Sequence, residues 1–199
     1  MALTFDACGG PQGSGYDAEL IEVLQATQTP ATLFLNQRWV LAQPEVTAAL
    51  AREPLFEIAN HGTQHRPLSV TGRSAYGITG TAGAGEVYDE DFGNRQSLTE
   101  ATGVPPRFFR SGTAHYDDVA VQITRDLGET VVNFDVNGDA GATLAPQQVA
   151  AALESAASGS IVLCHMNQPN SGTAQGVTSA LPRLSEAGFR FVHLSEYLS

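Results

Sequence analysis

Two histidines four residues apart, His61 and His65, close the stretch Glu57-Ile58-Ala59-Asn60-His61-Gly62-Thr63-Gln64-His65. Imidazoles at that spacing share one face of a helical turn and point at a single cation, as they do within several zinc sites. No apolar face accompanies them, so both rings are expected as metal ligands at a solvent-accessible strand end. Asp6 ends the apolar run Leu3-Thr4-Phe5 just before Ala7-Cys8-Gly9-Gly10. A carboxylate there either caps the glycine turn or moves a proton. Arg110, Asp139 in Asn137-Gly138-Asp139, and His165 in Leu163-Cys164-His165 also end or follow apolar runs. Taken singly they read as an ion pair, a turn residue and a satisfied hydrogen bond; their recurrence at successive strand ends reads as a site. His115 and His193 have no partner pattern and are expected to be structural.

The 199 residues carry a formal net charge of -11, whereas a nucleic-acid binder needs a basic stripe to neutralise phosphates. No nucleic-acid partner is expected, and a neutral glycan or small polar substrate suits the chain better. All ten basic residues are arginine, which removes lysine Schiff bases and the phosphate-binding P-loop. No apolar run reaches the length of a membrane span, and nothing at the start reads as a signal peptide. The chain begins a few residues before Asp6, which leaves an upstream leader or domain open and localisation unconstrained. Cys8 and Cys164 are too few for a disulfide framework.

Apolar runs that read as strands are Ala2 to Phe5, Ala31 to Leu35, Phe56 to Ala59, Arg107 to Phe109, Thr130 to Phe134, Ser160 to Leu163 and Phe189 to Val192. Helical patterns lie between them. Asp17 caps one with Leu20, Ile21 and Leu24 on its apolar face, and Pro44 starts another that runs to Arg52. Further helices are expected at Glu86 to Thr102, Asp117 to Leu127, Gln147 to Ala157 and Thr178 to Ala187. The Gly-rich segments Cys8 to Tyr16 and Gly77 to Gly85 read as loops. Strand then helix, repeated about seven times with continuous apolar strands, implies an α/β fold with a parallel sheet covered on both faces. A deformed (β/α) barrel forming one domain over residues 1–199 is the leading architecture, and an open doubly wound sheet the second. In such barrels the chemistry sits at the carboxyl ends of the strands, where the residues above fall.

In order, these segments resemble the polysaccharide deacetylase family with the NodB homology domain, also called carbohydrate esterase family 4. The resemblance runs over essentially the whole chain. Thr4-Phe5-Asp6-Ala7-Cys8 matches a first motif that is usually Thr-Phe-Asp-Asp-Gly, and Glu57 through His65 matches the second closely. Arg110 alone survives of an Arg-x-Pro-Tyr motif, with Ser111-Gly112-Thr113 behind it. Asp139 is followed by Ala140 where the family has Trp, and Leu163-Cys164-His165 meets the last motif, Leu-x-His. Thr29-Pro30-Ala31-Thr32-Leu33-Phe34 adds background similarity. The resemblance implies a divalent metal, commonly zinc, held by His61 and His65 against an acetylated carbohydrate. It also implies Asp6 as general base, His165 as general acid, Arg110 holding Asp6 ionised, Asp139 orienting His165, and Leu163 lining the acetyl pocket. Backbone N–H groups after Arg110 would receive the oxyanion. An extracytoplasmic role follows from the resemblance alone.

The departures bear on the metal. The family's third ligand is the second Asp of the first motif, and here that residue is Ala7. Strand alternation puts Asp6 and Cys8 on one side and Ala7 on the other. The third ligand is then Cys8, whose thiolate suits zinc, or Asp6 itself, or water, with an inert cysteine in a tight turn as the plain alternative. By the same rule Cys164 faces away from His165, which argues against a Cys8–Cys164 disulfide. Two other readings keep the fold: a hydrolase of another small amide such as a formyl group, and a catalytically silent glycan-binding domain. A calcium loop from Asp135 fails at Ala140 and Pro146, where an EF-hand needs Gly and Glu. A Ser-His-Asp hydrolase lacks its G-x-S-x-G turn.

Overall fold

Strands β1 (Ala2–Ala7), β2 (Ala31–Leu35), β3 (Phe56–Asn60) and β7 (Ile161–His165) form the centre of a seven-stranded sheet. Shorter strands β4 (Phe108–Phe109), β5 (Thr130–Val131) and β6 (Val136–Asn137) complete it, in the order β5-β4-β3-β2-β1-β7-β6. Every pairing is parallel. This computed structural model describes residues 1–198.

The sheet curls into a half-barrel whose outer face packs under the helices and whose inner face is part apolar and part polar. Leu3, Phe5 and Ala7 point outward and pack under the helices with Leu33, Leu35 and Val162. Ala2 points inward with Phe34, Ala59, Phe108 and Val132. Helices α1 (Ala18–Ala26), α2 (Gln37–Ala42), α3 (Pro44–Arg52), α4 (Ala84–Thr102), α5 (Asp118–Asp126), α6 (Pro146–Glu154) and α7 (Thr173–Glu186) cover the outside, and α8 (Leu194–Tyr197) ends the described chain. Asp17 caps α1 by accepting from Leu20 N at 3.1 Å, as its position before an apolar period requires.

The seventh expected strand, Phe189 to Val192, is not one. That segment carries no strand, although Val192 N donates to Met1 O at 3.1 Å and the Met1 amine to Arg190 O at 2.8 Å. The seventh strand is β6, two residues long and too short to show a period. Helix α7 begins at Thr173, five residues before its expected start, and carries Pro182 inside it.

β5 and β6 are the two sheet edges, and no ladder joins them among the described residues. The chain passes from one to the other through Val132 to Asp135, so this segment spans the seam of the half-barrel. Cys164 is buried in the outer core and both cysteines are free, in line with the alternation argument.

Ala7 is fully buried in that outer layer. Ala7→Asp should therefore place a carboxylate among apolar side chains and lower stability by roughly 2–5 kcal/mol, without adding a ligand to the site. Urea unfolding together with zinc titration checks this. An unchanged midpoint with tightened zinc binding would show that position 7 reaches the site after all.

Candidate active site

The carboxyl ends of β1, β3, β4 and β7 deliver Asp6, His61, Arg110 and His165 to one cleft. Asp6 and His165 are register partners across the β1–β7 pair, so their side chains meet without any loop having to fold over. Asp6 is 4% exposed and Arg110 is fully buried. Arg110 Nη1 donates to Asp6 Oδ1 at 2.9 Å and to Thr4 Oγ1 at 2.8 Å. Its Nε and Nη2 donate to Val132 O and Asn133 O at 3.2 and 3.3 Å, and the guanidinium lies 4.1 Å over the Phe34 ring. Burial would push the Asp6 carboxyl up, but His61, Arg110 and His165 together outweigh it and hold it below the usual carboxylate range.

His61 is not at a solvent-accessible strand end as expected, since it is fully buried. Its Nδ1 lies 2.8 Å from Arg110 O. A carbonyl only accepts, so Nδ1 carries the proton and the lone pair sits on Nε2. That Nε2 faces Asp6 Oδ2 at 3.5 Å and Cys8 Sγ at 3.8 Å. Nor is the His61–His65 pair carried on a helical turn. Gly62 and His65 both adopt left-handed backbone, with φ of 76° and 63°, and fold residues 62–65 back so that the two rings meet edge to face at 5.0 Å. Gly112 is required behind this loop, because a Cβ there would lie 2.3 Å from His65 Cγ.

One ligand atom from each of Cys8, His61 and His65 lies within 4.8 Å of the others. His65 Nε2 is buried and has no hydrogen-bond partner among the described residues. Burial opposes ionisation of Cys8, yet the neighbouring imidazoles of His165, His61 and His65 outweigh it and bring its thiol well below the ordinary value. His61 is shifted upward, since Asp6 and Cys8 outweigh the effect of burial.

His165 is fixed from below. Its Nδ1 donates to Asp139 Oδ1 at 2.8 Å and its backbone N to Asp139 Oδ2 at 2.7 Å, while Thr173 Oγ1 donates to the same Oδ2 at 2.9 Å. Burial disfavours its charged form, but the hydrogen bond to Asp139 and then Cys8 prevail, and the ring titrates well above the ordinary histidine value. Asp6, His65, Leu163, His165 and the exposed Tyr76 line a cavity of about 440 Å³. A neighbouring hollow of about 310 Å³, which shares His165 and Gly141 with it, is lined by Cys8, Arg38 and Asn167. His115 and His193 hydrogen-bond to Thr113 O and Leu55 O, and neither lines this cleft.

Thr4, the first residue of the first motif, accepts from Arg110. Two parts of the site carry no signal in the sequence. Tyr116 accepts from Ser111 N at 2.9 Å, and α4 turns inward a polar face of Glu90, Asp91 and Asn94. Asn94 Nδ2 donates to Asn60 Oδ1 at 2.7 Å, and that oxygen also accepts from Gly62 N at 2.9 Å. Asn60 Nδ2 in turn donates to Glu129 Oε2 at 3.1 Å. Burial and then the facing Asp91 push Glu129 up to about 10, and burial pushes Asp91 up as well. A search for apolar residues at helical spacing passes over a stripe that is buried because it is hydrogen-bonded.

A family model described as polysaccharide deacetylase matches residues 1–132. The chain belongs to the polysaccharide deacetylase family. The peptidoglycan-N-acetylglucosamine deacetylase of Bacillus cereus is 25% identical over 202 residues, which cover all of this chain and 87% of that protein. Among solved structures, a T48 deacetylase with substrate superposes with a TM-score of 0.79 at 26% identity, over 98% of this chain and 87% of that one. BA3943 from Bacillus anthracis, described as a CE4 family pseudoenzyme, matches as a mutant with restored enzymatic activity with a TM-score of 0.83 at 23% identity. That match covers all of this chain and 66% of the other, just under two thirds of its length.

The Arg110–Asp6 pair generates a test. Arg110→Ala leaves a buried carboxylate unpaired and two seam carbonyls without donors, so it should cost about 3–5 kcal/mol. Arg110→Lys should recover little of it, because an ammonium cannot reproduce the planar fork. Urea unfolding of both variants measures this.

Proposed function

We propose that this chain is a metal-dependent hydrolase that removes acetyl groups from a carbohydrate. The observation that carries the reading is the convergence of Cys8, His61 and His65 beside a charge-paired Asp6 and an Asp139-anchored His165. A thiolate and two imidazoles form a donor set suited to zinc, with a fourth position left for substrate or water. Of the two residues that are candidates for third ligand, Cys8 fits better, because its sulfur converges with both imidazoles whereas Asp6 does not join that group. A divalent cation bound there would polarise the acyl carbonyl and lower the pKa of water beside it.

Asp6 takes the proton of the attacking water on Oδ2, the oxygen that Arg110 leaves free. Arg110 keeps that carboxylate ionised so that it can act as a base at neutral pH. His165 carries its transferable proton on Nε2, since Nδ1 donates to Asp139, and delivers it to the leaving amine or alkoxide. Ser111 N is engaged by the Tyr116 hydroxyl, so of the amides after Arg110 only Gly112 and Thr113 remain to meet the oxyanion. Leu163, which lines the larger cavity, gives the acetyl methyl an apolar wall.

A second reading is a silent glycan-binding domain, favoured by the fold it shares with a described pseudoenzyme and by Ala7 standing at a ligand position of the family. Metal content and acetate release from a panel of N-acetylated, O-acetylated and N-formylated sugars separate the two. The enzyme should hold zinc and release acid from one class, and lose both in Cys8→Ser. Glycan binding without release would support the second reading, and unchanged zinc affinity in Cys8→Ser would exclude the thiol as a ligand.

Asp139 also sets a pH dependence. Because it holds the His165 pKa up, the protonated acid persists to higher pH in the wild type. Asp139→Asn should move the alkaline limb of kcat/KM to lower pH and reduce turnover by about 10²-fold or more. An alkaline limb that stays in place would remove His165 from the acid role.

A further inference from the structure

Glu90 takes no part in the proton transfers above, yet it is only 3% exposed and lies against the loop that bears the histidines. Its Oε2 accepts from Thr63 Oγ1 at 2.8 Å, both oxygens accept from Gln64 N at 3.0 Å, and Oε1 accepts from Arg66 N at 3.1 Å. Thr63 N donates to the backbone carbonyl of the same residue at 2.9 Å. Residues 62–66 thus wrap around one carboxylate as a nest of N–H groups. Contact is close enough that a Cβ on Gly62, whose φ is 76°, would lie 2.5 Å from Glu90 Oε1 and displace the carboxylate.

His65 sits inside this nest with φ at 63°. A left-handed residue other than glycine costs roughly 1–2 kcal/mol, so something must hold it. The amides on either side of His65, those of Gln64 and Arg66, are both held by Glu90. We propose that Glu90 is a positioning residue for the His61–His65 pair: its buried carboxylate templates the left-handed turn that brings His65 to His61 and Cys8. This rests on the reading that those three residues hold a metal.

Zinc affinity of the full chain, measured by competition with a chromogenic chelator, tests it. Glu90→Ala should weaken zinc binding about 10- to 100-fold, the usual effect of losing a group that orients a ligand. Glu90→Gln should stay near the wild type, because its carbonyl can still accept from Gln64 N and Arg66 N while its amide donates to Thr63 Oγ1. If Glu90→Ala does not fold, Glu90→Asp, which keeps the charge but shortens the reach, should show the same loss. Wild-type affinity in the Ala or Asp variant would overturn the proposal, as would equal losses in Asp and Gln. If the wild type binds no zinc, the functional reading falls and the clamp is judged by amide hydrogen exchange. Gln64 and Arg66 should be protected in the wild type and in Glu90→Gln but not in Glu90→Ala or Glu90→Asp, and fast exchange in the wild type would overturn it.

Discussion

The Arg110 guanidinium is buried inside a half-barrel whose edge strands do not pair, and it meets two needs there. Val132 O and Asn133 O, in the segment that crosses the seam, have a donor where a ladder would otherwise supply one. Its remaining donors go to Thr4 and Asp6, the inward-facing positions of β1. Replacing a buried ion pair with apolar groups is often neutral or stabilising, so stability alone does not account for a charge at this depth. What the pair secures is a carboxylate that stays ionised although almost fully buried, and that is the property a base needs.

Around this pair the polar groups are ordered in layers. Arg110 also presents its backbone carbonyl to His61 Nδ1, so one residue fixes the ionisation of Asp6 and the tautomer of the adjacent imidazole. On the other side of His61, the face of α4 continues the order through Asn94 and Asn60 to the buried Asp91 and Glu129. On the far side of the cleft Asp139 does for His165 what Arg110 O does for His61. Each histidine thus has one nitrogen tied to a buried acceptor or left without a competing partner, an arrangement that lowers the reorganisation needed when charge moves.

The strands that position Asp6, His61 and His165 are legible because they are mainly apolar runs five or six residues long. β4, β5 and β6, at two residues each, carry no period, so the apolar run Phe189 through Val192 reads as a strand while β6 does not. The candidate site was legible as a set of residue types at strand ends. Its internal support was not, since Glu90, Asp91 and Asn94 look like an ordinary solvated helix face until the helix is seen to turn that face inward. The spacing of His61 and His65 suggested a helical turn and an exposed pair. Two left-handed residues produce the same convergence by another route, and they bury one of the rings.

Strand parity bears on the third ligand of the proposed metal site, because Ala7 stands where the family resemblance implies Asp. A shift of one residue along a strand moves a side chain to the opposite face. In this chain Ala7 faces the helices, and the next residue that can face the cleft is Cys8, whose sulfur does lie beside His61. A thiolate carries the same single negative charge as a carboxylate, so the electrostatic balance with Asp6, His165 and Arg110 is preserved by the exchange. Softness is not preserved. Two imidazoles with a carboxylate accept a range of divalent cations, whereas two imidazoles with a thiolate discriminate against hard, oxygen-seeking ions and favour zinc. Under the proposed reading, with Cys8 as the third ligand, the thiolate would narrow the choice of metal while leaving the negative charge beside Asp6 and His165 unchanged.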